Sequence, residues 1–215
     1  MDRYRIAIVI PALNESATIK AIVEKAGIFG VPIVVDDGST DDTAELAKLA
    51  GAVVVSHDRN HGYDMALNSG FKKAAELGSE VIITVDADGQ HDPALLRKFI
   101  DQIEAGADVV IGIRSRRQRF AEHLFAWYAS LRFGIEDPLC GMKAYRTSVY
   151  AAQGHFDSYG SIGTELAISA SKNGCRLSQI PFDVRERKDQ SRFGRILTGN
   201  FRILRAIALA MWHVK

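Results

Sequence analysis

The sequence predicts an α/β fold, a mostly parallel sheet with helices on both faces. Three observations carry this. Short continuous apolar runs alternate with longer amphipathic stretches through the first half of the chain. The amphipathic stretches begin and end on capping signals. Three of the apolar runs lead into acidic or polar loops, and open α/β sheets collect ligands beyond the carboxyl ends of their strands.

Ile6 to Ile10 is the first strand. Glu15 to Ile28 reads as a helix, because Ile19, Ile22, Val23 and Ala26 recur on one face. Ile33 to Val35 follows Pro32 as a second strand, and Asp42 to Ala50 is a short helix with Asp41 as N-cap. Val53 to Val55 is the third strand. Asp64 to Leu77 is a helix stopped by Gly78, and Val81 to Val85 is the fourth strand. Asp92 then caps a helix with Pro93 at its first position. Val109 to Ile113 is the fifth strand. Beyond it the pattern loosens: a turn over Pro138 to Gly141, a helix over Thr164 to Lys172 and a strand over Leu177 to Val184. A charged loop follows over Arg185 to Gly194, then an amphipathic helix over Arg195 to His213.

The chain has 215 residues, 47% of them hydrophobic, enough for one sizeable core. A net charge of +1 provides no global field for nucleic acid. Cys140 and Cys175 form no CxxC pair, so they read as reduced thiols. The apolar run at Ile6 to Ile10 is too short for a signal peptide. No stretch reaches the roughly 18 apolar residues of a membrane span, so any membrane contact is expected to be peripheral.

The three loops are Pro11-Ala12-Leu13-Asn14-Glu15, Asp36-Asp37-Gly38-Ser39-Thr40-Asp41 and Asp86-Ala87-Asp88-Gly89-Gln90-His91. Singly, each is ordinary turn or cap chemistry. Together they bring several carboxylates to one sheet edge, where they repel. A divalent cation resolves the repulsion, and hard oxygen donors suit Mg²⁺ or Mn²⁺, ions that usually also hold substrate phosphates.

These motifs, in this order, resemble family 2 glycosyltransferases. Val9 to Glu15 is similar to the family's opening strand, Val35 to Asp41 to its second signature, and Asn60-His61-Gly62 with Ala66 to Gly70 to its third. Asp86-Ala87-Asp88 resembles its DXD motif, and Gln90-His91 matches the dolichol-phosphate mannose synthase subgroup. The resemblance implies a GT-A fold and roles for named residues. Pro11, Leu13, Glu15 and Asp37 would hold the nucleoside, with Ala87 in the same donor loop. Asp86, Asp88 and Gln90 would hold the metal, and Arg114 would reach phosphate. Gly163-Thr164-Glu165 is similar to the helix start carrying an acidic residue near the site, and Asp137 opens the segment after the acceptor loop. Arg187, Ser191 and Arg192 resemble a closing basic loop. The Gln-x-x-Arg-Trp motif of processive synthases is absent, which fits transfer of a single sugar.

Arg114 to Arg132 interleaves five arginines with Phe120, Leu124, Phe125, Trp127, Tyr128 and Leu131. Arginine suits phosphate, and Trp and Tyr suit a bilayer interface. The last helix places Leu197, Phe201, Leu204, Ala208 and Met211 on one stripe, with Arg195, Arg202 and Arg205 off it. That stripe is expected either to pack on the domain or to lie in a membrane interface. The expected organisation is a catalytic domain over residues 1–194 and a C-terminal amphipathic helix over 195–215. His57, His61, His123, His155 and His213 show no ligand spacing.

The expected activity is inverting transfer of one sugar from a nucleoside diphosphate sugar to a polyprenyl phosphate, at the cytoplasmic face of a membrane. The alternative acceptor is a saccharide hydroxyl, which would need a carboxylate base; Asp137 and Glu165 are the candidates.

Overall fold

The computed structural model describes residues 1–89, 93–117, 119–183 and 196–213. Within them a seven-stranded sheet runs in the order β3-β2-β1-β4-β6-β5-β7. The strands are β1 (Ile6–Ala12), β2 (Val31–Asp36), β3 (Val53–Ser56), β4 (Val81–Thr84), β5 (Val109–Arg114), β6 (Lys143–Arg146) and β7 (Leu177–Phe182). β6 runs antiparallel to both of its neighbours, and every other pairing is parallel. The helices are α1 (Ile19–Ala26), α2 (Thr43–Leu49), α3 (Tyr63–Glu76), α4 (Leu96–Glu104), α5 (Phe120–Phe133), α6 (Thr147–Gln153), α7 (Glu165–Lys172) and α8 (Ile196–His213).

β1 shows why the apolar runs are continuous. Ala7 and Val9 enter one core with α3, α5, α7 and α8. Ile6, Ile8, Ile10 and Ala12 enter the other with α1 and α4. A strand covered on both faces needs apolar side chains on both. The connections run from β1 outward to β2 and β3, then return to β4 on the other side of β1. That reversal is the topological switch point where a crevice opens.

Four local expectations need correction. α1 starts at Ile19 rather than Glu15, because residues 15–18 form a turn in which the Thr18 and Ile19 N–H groups donate to Glu15 O. Lys143–Arg146 is a strand that no apolar run announced, with a buried lysine at its head. Phe120–Phe133 is a helix obscured in the sequence by being apolar on its outer face as well as its inner one. On α8 the packed stripe is Ile203, Ala206, Ile207 and Ala210, whereas Phe201, Leu204, Ala208 and Met211 face outward. The cap assigned to Asp92 lies outside the described residues. Asp41 does accept from the Thr43 N–H, at 3.1 Å, one residue ahead of the helix's formal N-cap.

Candidate active site

The loops after β1, β2 and β4 meet at the switch point and are stitched together there. Asn14, in the left-handed region at φ 51°, accepts from Thr40 N at 2.7 Å, and its own N–H donates to Ser39 Oγ at 2.8 Å. Asp37 N donates to Ala12 O, and Thr18 Oγ1 donates to Ala87 O at 2.6 Å. They bound a cleft of about 670 Å³. Of the residues predicted from the sequence, Pro11, Leu13, Glu15, Asp37, Asp86, Ala87, Asp88 and Arg114 line this cleft. Asp137 and Glu165 are absent from its lining. Gln90, Arg187, Ser191 and Arg192 lie outside the described residues.

At one end Asp37 is buried, and its carboxylate is largely engaged. Oδ1 accepts from His61 N at 2.9 Å and meets His57 Nδ1 at 2.7 Å, and Oδ2 accepts from Gly62 N at 2.8 Å. His57 in turn reaches Ser69 Oγ through Nε2 at 2.9 Å. Gly38 permits this closeness: it has φ 76°, and a Cβ there would sit 2.5 Å from the Arg59 backbone. A carboxylate has about four lone-pair sites. Among the described residues three donors are in place, which leaves room on Oδ2 for a further one.

At the centre Asp86 and Asp88 face the cleft from the loop after β4. Tyr63 donates to Asp86 Oδ1 at 3.2 Å. Gly141 lies directly behind this carboxylate, and a Cβ there would fall 2.0 Å from Oδ2. Thr84 Oγ1 secures Gly141 by donating to its carbonyl at 2.6 Å. No group of three or more acidic, His or Cys side chains among the described residues forms a complete metal cage. Two hard carboxylates on a cleft floor, with the remaining positions open to substrate oxygens, are what a Mg²⁺- or Mn²⁺-phosphate complex requires.

Beside them Lys143 is buried and donates to Cys140 O at 2.7 Å and Gly163 O at 3.0 Å. Burial pulls its ammonium below the ordinary lysine range. Burial also pushes the Cys140 thiol up to about 12, so it is inert.

Arg114 is committed within the protein. Its Nε and Nη2 donate to Asp137 at 2.8 and 2.9 Å, its N–H donates to the same carboxylate at 3.1 Å, and Nη2 lies 3.4 Å from Glu122. Arg119 pairs with Glu122 at 3.1 Å. Burial alone would lower the Arg114 pKa, but the hydrogen bonds and charge of Asp137, with Glu122, hold it above its ordinary value. Glu165 is likewise committed, accepting from Ser158 N at 2.6 Å and Ser158 Oγ at 2.9 Å, with His155 Nε2 at 2.9 Å. With these partners Asp137 and Glu165 hold structure together beside the cleft.

Further residues line the cleft outside the three donor loops, among them Tyr63, Asp64, Arg119, Lys143, Arg202 and Arg205. Arg202 and Arg205 were visible on the last helix as arginines off its apolar stripe, but nothing local placed them at this cleft. Lys143 closes the segment that opens at Asp137, and Asp64 carries no local signal, because its contacts are with chain folded from far away in sequence.

Asp64 is driven up to about 6, first by burial and then by the nearby Asp157 charge, against the opposing N–H groups of Gly163 and Ile162. An acid whose folded pKa exceeds its unfolded value holds a proton longer in the folded state. Stability therefore falls as pH rises from about 4 through about 6, then levels. The shift corresponds to about 3 kcal/mol. Asp64→Asn is expected to flatten this component. The difference in unfolding free energy between wild type and variant, measured by urea titration without metal, should change by about that amount between pH ~4 and ~7. A pH-independent difference would contradict it.

Residues 7–140 match the family model of Glycosyl transferase family 2. An uncharacterized protein of Methanocaldococcus jannaschii is 39% identical over 77 residues, 34% of this chain and 31% of that one. Glucosyl-3-phosphoglycerate synthase of Mycobacterium tuberculosis is 44% identical over 59 residues, 25% of this chain and 18% of that enzyme. The chain thus aligns with less than a third of the length of these curated relatives. The crystal structure of the M. tuberculosis synthase with Mn²⁺, UDP and glucosyl-3-phosphoglycerate superposes with a TM-score of 0.76 at 22% identity, covering 97% of this chain and 79% of that one. This likeness establishes the GT-A type of α/β fold. A glucosyl-3-phosphoglycerate synthase lies outside the polyprenyl-phosphate subgroup that the motifs suggested.

Proposed function

Because the chain belongs to glycosyl transferase family 2, we propose that it moves one sugar from a uridine diphosphate sugar to a phosphate-bearing acceptor at a lipid surface. The observation that carries the acceptor half is the convergence of Arg119, Arg202 and Arg205 on the cleft that also holds Asp86 and Asp88. Positive charge lining the same cleft as these carboxylates suits a second phosphate, which would otherwise be repelled by the donor's diphosphate; Arg119 shares its charge with Glu122, so Arg205 is the arginine to test.

Asp37 supports uridine. A further acceptor site on Oδ2 suits the single ring N–H of uracil. The M. tuberculosis synthase has been crystallised with UDP and either Mn²⁺ or Mg²⁺. In this chain Asp86 and Asp88 would hold the ion, which when bound offsets charge on the leaving diphosphate. Pro11, Leu13 and Glu15 would form the other wall of the nucleoside pocket.

An acceptor phosphate is already anionic and needs no base, so direct, inverting attack is consistent with Asp137 and Glu165 being committed elsewhere. A saccharide hydroxyl would need one of them. The lipid surface is supported by α5 and α8, which contact each other and expose aromatic and aliphatic side chains. Trp127 is 65% exposed, Phe201 71% and Trp212 73%. Tryptophan and phenylalanine beside arginine are interfacial chemistry. No helix among the described residues is long and apolar enough to cross a membrane. Lipid-phosphate transfer would occur at the cytoplasmic face, where nucleotide sugars are available. A second reading, favoured by the glucosyl-3-phosphoglycerate synthase relatives, keeps the phosphate and replaces the lipid with a small phosphorylated acid.

Removing Arg205 separates acceptor from donor. Arg205→Ala is expected to raise the acceptor KM by about tenfold or more, since a charge-assisted bond is worth roughly 1.5–3 kcal/mol. The Kd for UDP with Mn²⁺ should stay within about twofold. Unchanged acceptor KM for both polyprenyl phosphate and 3-phosphoglycerate would remove the arginine cluster from the reaction.

A further inference from the structure

The segment 160–163 has an unusual backbone. Gly160 and Gly163 lie at φ 74° and 68°, where glycine is at ease, but Ile162, next to Gly163, also has a positive φ, at 58°. A β-branched side chain there is a steric outlier, and such outliers persist only where the surroundings impose them. Charged side chains impose this one from several sides. Asp64 accepts from Gly163 N at 2.6 Å and Ile162 N at 3.3 Å. Lys143 donates to Gly163 O at 3.0 Å. Asp157 accepts from Gly160 N at 2.6 Å and Ser161 N at 2.9 Å. The side chain so held is half-buried, partly against the core and partly on the cleft wall.

Its position along the cleft is set by Tyr63. The phenol bonds Asp86 at its tip, and its ring edge lies against Gly163, where an added Cβ would be 3.2 Å away. The wall carrying Ile162 is therefore one aromatic ring beyond the carboxylate assigned to the donor diphosphate. The sugar is attached to that diphosphate and extends from it.

We infer that Ile162 is a specificity residue for the donor sugar, held in its strained conformation by Asp64, Lys143 and Asp157 so that its side chain shapes the sugar pocket. This rests on the donor reading above. A glycine would satisfy the backbone at no steric cost. Isoleucine at this position therefore accepts backbone strain in return for a side chain on the cleft wall.

The test is calorimetric binding of UDP, UDP-glucose, UDP-galactose and UDP-N-acetylglucosamine with Mn²⁺ to wild type, Ile162→Gly and Ile162→Val. Ile162→Gly relieves the backbone strain but gives up the apolar contact of a half-buried side chain, so its Tm is expected to stay within about 2–4 °C of wild type. It should also compress the spread of Kd among the three UDP-sugars by about tenfold, the scale on which small apolar groups discriminate. UDP itself should bind as in wild type. Ile162→Val keeps the backbone constraint and should shift the spread by about threefold without raising Tm, which keeps the inference testable if the glycine variant folds poorly. A spread unchanged in both variants, with all four ligands still bound, would overturn the inference and leave the donor reading intact. Failure of wild type to bind any of the four would overturn both.

Discussion

Asp88→Ala is expected to lower sugar transfer by about a thousandfold, with Tm within about 2 °C of wild type. The loss corresponds to about 4 kcal/mol of transition-state stabilisation. That is the scale on which an ion neutralises charge developing on a leaving diphosphate. Two carboxylates, Asp86 and Asp88, face the cleft from one loop, so removing one halves the protein's charge toward the ion. Asp88 is only partly buried, and the buried member of the loop is Ala87, so the substitution spares the core. Asp88→Asn keeps an oxygen but loses the charge, and should fall between the two. Retention of full activity by Asp88→Ala, or by wild type in excess EDTA, would refute the metal role.

The second large effect concerns stability. Asp137→Ala leaves Arg114 buried without its bidentate partner, and breaking such a pair costs about 3–5 kcal/mol. For a chain of this size that is a fall in Tm of about 10 °C. Glu122, 3.4 Å from Arg114, offsets part of the loss. Asp137→Asn preserves one acceptor and should retain more stability and most of the activity, because Asp137 positions Arg114 and does not meet the cleft. A differential-scanning melt of Asp137→Ala matching wild type, combined with complete loss of transfer, would instead make Asp137 the catalytic base and promote a hydroxyl acceptor.

Much of the parallel half of the fold was legible because both sheet faces are covered, which leaves continuous apolar runs such as Ile6 to Ile10. The capping chemistry at Asp41 and the stop at Gly78 were local, and local signals survive in sequence. β6 was hidden because its four residues begin and end on charges whose burial is set by distant partners: Lys143 on Gly163, Arg146 on Ile103 and Ala107. α5 was hidden because its outward face is apolar too, erasing the contrast that marks an amphipathic helix. At the candidate site, Asp37, Asp86 and Asp88 were singled out from the loop motifs, and all three line the cleft. The commitments of Arg114 to Asp137 and of Glu165 to Ser158 and His155 were not, because hydrogen-bond partners across 23 residues, or around a left-handed loop, leave no periodic trace.

Transfer to a lipid phosphate is tested most directly by a partition experiment. Radiolabelled UDP-sugars are incubated with the protein, Mn²⁺ and vesicles containing undecaprenyl or dolichyl phosphate, with 3-phosphoglycerate and a free saccharide in parallel reactions. The lipid is then extracted into organic solvent. Label is expected in the organic phase from at least one UDP-sugar, and should be lost in EDTA and in Asp88→Ala. Label appearing in a water-soluble glycan, with none in the lipid extract, would contradict a phosphate acceptor at a lipid surface.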